Sequence, residues 1–482
     1  MNTSRTKSAL FLSISQNVNL VLSILSTAIL ARYFTQQDLG IYKQTNMVFD
    51  LVTPFLLLSI PEALYFFLPK GESEKTIFNS YILVTFTSII TFLVLFFGRN
   101  MFSNIFHNIA LKDTLKIYAL FALFFFPLQL INPILIFFDK SSSMAVWVCI
   151  TNFIMIVAII ITAITTQSYI ILISVRVIVE AVTVIVSMIW ILKILKLDRS
   201  LFKVDFPYIF KICKYSLPLG LTALMGTLCL RMDKFVVSLF VTPEEFAIYN
   251  NGAIEIPFIN SITGSISAVI IVDYVKYYQN GEFDKIVELF KKCAYKSAIF
   301  LFPIMAYFIF WKTEFIVTLY SEKYLQSSLL FFIYLFTIPS RIVQYGVVIQ
   351  AMNKNFFLVV RSIGDLIINI IFNFIFIHIW GMKGAAIATV CLLYFWTVPF
   401  NLIIIGKNLN YKVYKLFPWK KLFIILLVSL SITFVSQFVK LFNISDFFKL
   451  AISVFFCVLI YTPLLYFIDY DLFIRIKRII WK

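Results

Sequence analysis

Phe34-Thr35-Gln36-Gln37-Asp38-Leu39-Gly40-Ile41-Tyr42-Lys43-Gln44 returns further along the chain as Val241-Thr242-Pro243-Glu244-Glu245-Phe246-Ala247-Ile248-Tyr249-Asn250-Asn251. Thr, Ile and Tyr fall in register, Asp38 stands opposite Glu245, and Leu39 stands opposite Phe246. The offset of about 207 residues is too long for a solenoid, whose repeats run to roughly 20–50 residues, and reads instead as two halves. In both copies the short polar connector lies between long apolar runs, so each joins two membrane spans at one end of a half.

Composition agrees with spans. Of 482 residues, 61% are hydrophobic and 13% charged, and the mean hydropathy is +0.94. Soluble chains carry roughly 25% charged residues, so a soluble domain is excluded and a polytopic all-α membrane protein is expected. A net charge of +17 would suggest nucleic acid if the basic residues formed a patch on a soluble domain. Here they sit in short segments between apolar runs, which points to topology and anionic headgroups, with no nucleic-acid partner. Cys149, Cys213, Cys229, Cys293, Cys391 and Cys457 show no metal-binding spacing and read as small buried apolar side chains. Arg5 and Lys7 precede an apolar run of about 22 residues without a small-residue cleavage site, so the run reads as a retained first span.

About 20 apolar residues cross roughly 30 Å of hydrocarbon. That criterion predicts about 14 transmembrane helices, near 9–30, 47–68, 77–97, 115–138, 144–164, 168–192, 215–240, 252–272, 294–311, 328–351, 356–377, 384–405, 419–439 and 450–468. With the N-terminus inside, about 25 of the 41 Lys and Arg fall in inner segments and about 9 in outer ones, which sets both termini in the cytoplasm. The densest inner segment, 193–214, is the seam between halves. In a second inner segment, 273–292, Phe283, Ile286, Val287, Leu289 and Phe290 alternate with charges. That spacing suits a short amphipathic helix lying on the inner leaflet, the alternative being a plain solvated connector.

The duplication continues, with Asp139-Lys140 matching Asn353-Lys354 at an offset of about 214. The expected organisation is therefore an N-lobe of six spans (1–192), a cytoplasmic inter-lobe segment (193–214), a C-lobe of six spans (215–405), and an additional helix pair with a basic cytoplasmic tail (406–482). An even number of helices per lobe leaves both copies pointing the same way, a parallel repeat of the kind found in alternating-access carriers.

Several of these stretches resemble the polysaccharide flippases of the multidrug, oligosaccharidyl-lipid and polysaccharide exporter superfamily, above all the Wzx type. They are Ala31-Arg32 at the end of span one, Asp38-Leu39-Gly40-Ile41-Tyr42 after it, Ile60-Pro61-Glu62-Ala63-Leu64-Tyr65-Phe66-Phe67-Leu68-Pro69 in span two, Asp233-Lys234 in span seven, and Gly381-Met382-Lys383-Gly384-Ala385-Ala386-Ile387-Ala388-Thr389 entering span twelve. The resemblance implies a carrier in the bacterial cytoplasmic membrane, not an enzyme. It would move an O-antigen or capsule repeat unit, an oligosaccharide on undecaprenyl pyrophosphate, from the inner to the outer leaflet. A polysaccharide polymerase and glycosyltransferases would be candidate partners.

An ionised residue at the bilayer centre costs roughly 2.5–3.5 kcal/mol on insertion scales, so such residues face a cavity or a partner. Arg176 and Glu180 lie four apart in span six, as do Arg361 and Asp365 in span eleven, so each pair shares a helix face. A guanidinium offers a planar fork of donors that suits phosphate oxygens, which makes Arg176 and Arg361 candidate pyrophosphate ligands; the alternative is an intrahelical pair that neutralises itself. Arg231 and Lys234 in span seven share a face away from Asp233, and Arg341 in span ten follows Pro339-Ser340. These cations join the candidates, against snorkelling toward the outer surface for Arg231 and Lys234. Arg32, at the outer end of span one, is a further candidate or an interface anchor. Glu62 follows Pro61, which loosens the helix, and is the carboxylate best placed for ion coupling, with Asp365 and Glu180 behind it. Pairing for assembly is the alternative, and H+ and Na+ suit the site equally. Gln16, Asn19 and Ser23 recur at helical spacing in span one and suit either sugar hydroxyls in a wet cavity or interhelical packing.

His107 and His378 are far apart, and neither a nucleophile elbow nor a phosphate-binding loop occurs, so no cofactor is called for and an ion gradient or mass action must drive transport. Two other classes compete with the flippase. A drug or small-cation exporter of the same superfamily should line its lobes with carboxylates. A membrane polymerase should carry a large outer loop, whereas every outer connector here is shorter than about 20 residues.

Overall fold

The computed structural model describes residues 20–195, 204–256 and 258–468, and among them every regular element is helical. The chain forms two compact units, 1–247 and 248–482.

The first unit begins with α1 (Leu20–Tyr33) and α2 (Gln36–Leu57). Thr35 caps α2, its hydroxyl accepting the Asp38 amide at 3.1 Å. Span two then breaks, because Leu58 and Ser59 both take left-handed backbone angles (φ +51°) immediately before α3 (Ile60–Phe67). Pro61 is the physical cause. It has no amide to donate to the turn before it, and its ring crowds the carbonyl four residues back. α4 (Ser73–Ile105), α5 (Leu111–Leu128), α6 (Ile131–Phe137), α7 (Ser141–Thr165) and α8 (Tyr169–Leu195) follow. Asp139 closes α6 in the left-handed conformation (φ +55°), and Asn353 does the same in the second unit (φ +56°), so the matched dipeptides are matched turns.

α9 (Phe206–Phe240) packs along α2 and α3 within the first unit. Its 35 residues rise about 52 Å. At its start, Asp205 caps the Tyr208 amide (2.9 Å) and pairs with Lys75 (2.8 Å), while its own amide donates to Asn79 (2.9 Å). Thr76 and the Tyr208 hydroxyl lie 2.6 Å apart. Midway, Gly220 passes the span-two break so closely that a Cβ there would sit 2.8 Å from the Leu58 backbone. Past its far end the two copies of the duplicated connector meet, and a Cβ on Gly40 would strike the Pro243 carbonyl. α9 therefore runs the length of span two, from the α4 end to the connector end.

The chain passes from the first unit to the second within α10 (Pro243–Gly252), and α11 (Phe258–Gln279) and α12 (Phe283–Tyr320) follow. The expected amphipathic helix on the leaflet is not separate. It forms the first turns of α12, with Ile286, Val287 and Phe290 buried and the apolar stripe running on through Ala294, Ser297 and Leu301 into span nine. No glycine or proline falls between Ile286 and Leu301, so the helix runs on from the inner segment into span nine, and Pro303 lies beyond that stretch within the 38-residue α12. Span ten is α13 (Ser327–Leu335), a tight turn at Ile338–Arg341, and α14 (Tyr345–Ala351), bent by 42°. α15 (Asn355–Trp380) is span eleven, and α16 (Met382–Leu392) and α17 (Val398–Leu409) make span twelve around a wide π turn, Leu393–Thr397. The terminal pair, α18 (Trp419–Val435) and α19 (Asp446–Ile468), docks on α12 where that helix kinks at Trp311. Trp311 donates to Ser436 (3.0 Å), and Lys440 pairs with Glu314 (2.7 Å) while donating to the Phe310 carbonyl (2.9 Å).

Among the described residues, ten helices are long and apolar enough to cross a membrane, eleven counting bent span ten. The remaining predicted stretches also fall on helices, α1, α9 and α11.

Candidate functional site

Arg176 sits in the first half of α8 and donates from one terminal nitrogen to the Tyr42 hydroxyl (2.8 Å) and the Asn46 amide oxygen (2.5 Å), both on α2. That amide oxygen also accepts from the Tyr118 hydroxyl on α5 (2.7 Å). The guanidinium lies 5.5 Å from the Tyr118 ring centre and 5.2 Å from that of Phe121. Its Nε is buried with no hydrogen-bond partner. All these partners are neutral, so the positive charge is retained.

Among the described residues no ion pair joins Arg176 to Glu180, although both line one cavity of 260 Å³ together with Gln129, Asn132, Trp147 and Asn152. The cavity opens where span four is broken, between α5 and α6. The second unit repeats this arrangement. A cavity of 190 Å³ lies at the break in span ten, walled by Arg341, Arg361, Gln344, Tyr345, Thr397 and Asn401. Gln129 and Gln344, at the two breaks, are 215 residues apart, so the halves are interrupted at matching places. Interrupted spans at corresponding positions are where carriers build binding sites, since broken backbone is tolerated at membrane depth only against a cavity or protein.

In the second cavity each arginine has a carboxylate. Arg341 pairs with Glu255, and Arg361 Nε stands 3.3 Å from Asp365, which also accepts from the Thr397 hydroxyl (2.7 Å). The Nε of Arg341 is buried without a hydrogen-bond partner, as is the amide oxygen of Asn401, which is only 1% exposed. The cavity thus holds an unmet donor and an unmet acceptor.

The other predicted residues lie elsewhere. Arg231 is exposed and pairs with Asp50 of α2, while Asp233 is buried, so the two faces of α9 separate as the spacing implied. Lys234 is close enough to Lys43 for their charges to interact. Arg32 is exposed at the end of α1, and Glu62 is exposed in the first turn of α3, beside the break in span two. Ser23 is exposed and its carbonyl accepts from Thr27 (3.0 Å), whereas Gln16 and Asn19 lie outside the described residues.

Tyr42, Asn46, Tyr118, Asp50, Glu255 and Asn401 were not singled out from sequence. One signal was there for the first. Tyr42 and Tyr249 are the matched tyrosines of the duplicated stretch, and Tyr249 meets the Tyr334 hydroxyl at 3.1 Å as Tyr42 meets Arg176. Asn46, Tyr118, Asp50 and Glu255 are ordinary polar residues until the fold brings partners more than 70 positions away, and Asn401 until the fold places it at the cavity wall.

The chain is thus an all-helical membrane protein with a polar cavity at a broken span in each half, and several solved structures share its fold. The lipid II flippase MurJ, in an inward closed conformation, matches with TM-score 0.73 and 18% identity over 96% of this chain and 99% of that one. An inward-facing multidrug resistance MATE transporter matches with TM-score 0.61 and 13% identity, over 84% and 99%. A transporter of the same superfamily from Pyrococcus furiosus, described as having reversed polarity of its binding pocket, matches with TM-score 0.53 and 12% identity, over 84% and 95%. The chain belongs to the polysaccharide biosynthesis protein family, whose sequence model matches residues 29–329, more than half of its length. No curated protein matches it.

Proposed function

We propose that the protein is a flippase that carries undecaprenyl-pyrophosphate-linked oligosaccharide repeat units, of O-antigen or capsule type, from the inner to the outer leaflet of the bacterial cytoplasmic membrane by alternating access, driven by a proton or sodium gradient. Fourteen spans cross the bilayer, as two six-helix lobes (1–192 and 215–405) joined by 193–214 and followed by the pair within 406–482, with both termini cytoplasmic. Membership of a polysaccharide biosynthesis family and the fold shared with a lipid-linked substrate flippase support this reading. The observation that carries it is the charge on the cavity walls. Arg176 faces its cavity held by neutral partners, with Glu180 on the same lining but not ion-paired to it, and Arg341 and Arg361, each beside a carboxylate, wall the other. An exporter of cationic drugs needs the opposite sign at its walls, whereas a pyrophosphate is held by donors on guanidinium groups.

The decisive measurement is the leaflet on which lipid-linked repeat units gather when the protein is depleted. Accumulation on the inner leaflet, with glycosyl transfer intact, is the expected result. Unchanged levels and sidedness of those intermediates would remove the flippase reading, and loss of polymer with units already on the outer leaflet would place the protein among the polymerases.

A further inference from the structure

We propose that the 260 Å³ cavity of the first unit is a sugar-recognition subsite that takes one pyranose ring of the cargo. This rests on the flippase reading and adds the residues that select among sugars. The share of liquid volume held by a water molecule is about 30 Å³, so the cavity is several times larger than a bare coupling ion needs. Its walls also differ from those of an ion site. A pyranose presents a flat face of C–H groups and a rim of hydroxyls, each of which both donates and accepts. The first calls for an aromatic surface and the second for amides and carboxylates. Phe125 and Trp147 supply aromatic surface, and Asn132, Asn152 and Glu180 supply the polar atoms.

Those polar atoms are uncommitted. Among the described residues, Asn132, Asn152 and Glu180 make no hydrogen bond, whereas most polar side chains of these helices close on a nearby backbone carbonyl, as Thr151 does on Trp147 (3.0 Å) and Thr183 on Val179 (2.8 Å). Arg176, fixed at the same wall by Tyr42 and Asn46, offers a further donor. The break between α5 and α6 adds backbone that is not closed into one continuous helix. A lining that combines aromatic surface with unpaired hydrogen-bonding groups fits a small polyol better than a dye or a metal ion.

The test uses the full-length protein in lipid nanodiscs and two probes applied separately, a panel of methyl glycosides (neutral, N-acetylated and acidic) and inorganic pyrophosphate, read by tryptophan fluorescence and thermal shift. At least one glycoside class should perturb the wild-type protein saturably. Asn132→Leu and Asn152→Leu should each weaken that response tenfold or more, and Trp147→Phe should remove most of the fluorescence change. Response to pyrophosphate should persist in the asparagine variants. Pyrophosphate binding without any glycoside response, or a glycoside response unchanged in both asparagine variants, overturns the subsite and leaves the flippase standing. Repeat units that never accumulate on the inner leaflet overturn the flippase reading and the subsite with it.

Discussion

Arg176 shows how much one residue carries. Its terminal nitrogen serves Tyr42 and Asn46 together, and rings of Tyr118 and Phe121 flank it, a geometry that a planar guanidinium meets and an ammonium on a flexible stem does not. Hydrogen bonds to charged groups contribute about 1.5–3 kcal/mol, so under the proposed function, with Arg176 holding the headgroup, losing one should slow transport by roughly ten- to a hundredfold. Arg176→Lys is expected to fall in that range and Arg176→Ala to abolish complementation, both at normal abundance in the membrane. Full activity of the alanine variant would take Arg176 out of the headgroup site. Glu62 is tested differently. It is exposed beside the span-two break, so Glu62→Gln should support transport that no longer responds to collapse of the proton or sodium gradient, and a response equal to wild type would place coupling elsewhere. The two residues differ in how much sequence says about them. A charge inside a span announces itself through its insertion cost, which is why Arg176 and Glu180 could be named in advance. Asn46 carries no such mark, and its 130-residue separation from Arg176 hides the contact.

At the scale of elements, helix existence was legible and continuity was not. Apolar length locates spans two, four, ten and twelve, but each is interrupted. Pro61 explains the first break, and Pro339 lies at the turn in span ten. The π turn of span twelve is followed by Pro399, which cannot donate to the Phe395 carbonyl within it. The start of α12 went the other way, because charges that looked like a surface helix lie on the exposed side of one that continues into the bilayer. The beginning of α9 gives an element-level prediction. The Lys75 ammonium bonded to Asp205, helped by the Tyr208 amide, holds the Asp205 carboxyl below its ordinary range. A group depressed in the folded state stabilises it above the unfolded value, about 3.9, and ceases to do so as pH falls through the lower folded value. Asp205→Asn should therefore lower the unfolding temperature by a constant amount from about pH 5 upward, with the gap closing as pH drops below about 4. A gap that stays open in acid would show that Asp205 acts there as a neutral cap alone.

For the whole molecule the open quantity is the number of crossings, and α9 decides it. Its second half carries Arg231, Asp233 and Lys234, charges that a crossing helix must place against a cavity or a partner. The geometry of the first unit argues that it crosses. Its beginning is held by Lys75, Thr76 and Asn79 at the start of α4, and beyond its far end Pro243 touches Gly40, in the connector at the opposite end of span two. A helix rising about 52 Å between those two places covers the full hydrocarbon thickness of roughly 30 Å. The connector 241–257 also contains three glutamates and no Lys or Arg, as expected of an outer segment. Glu244, exposed at the first turn of α10, is the reporter. In a cysteine-free background, Glu244→Cys should react with a membrane-impermeant maleimide in intact cells, or spheroplasts where an outer membrane intervenes. Lys140→Cys, on the turn after α6, should react only once the cytoplasmic membrane is permeabilised. If Glu244→Cys is protected until permeabilisation, α9 does not cross, the second lobe loses its parallel orientation, and a carrier built from two like-oriented halves is no longer possible.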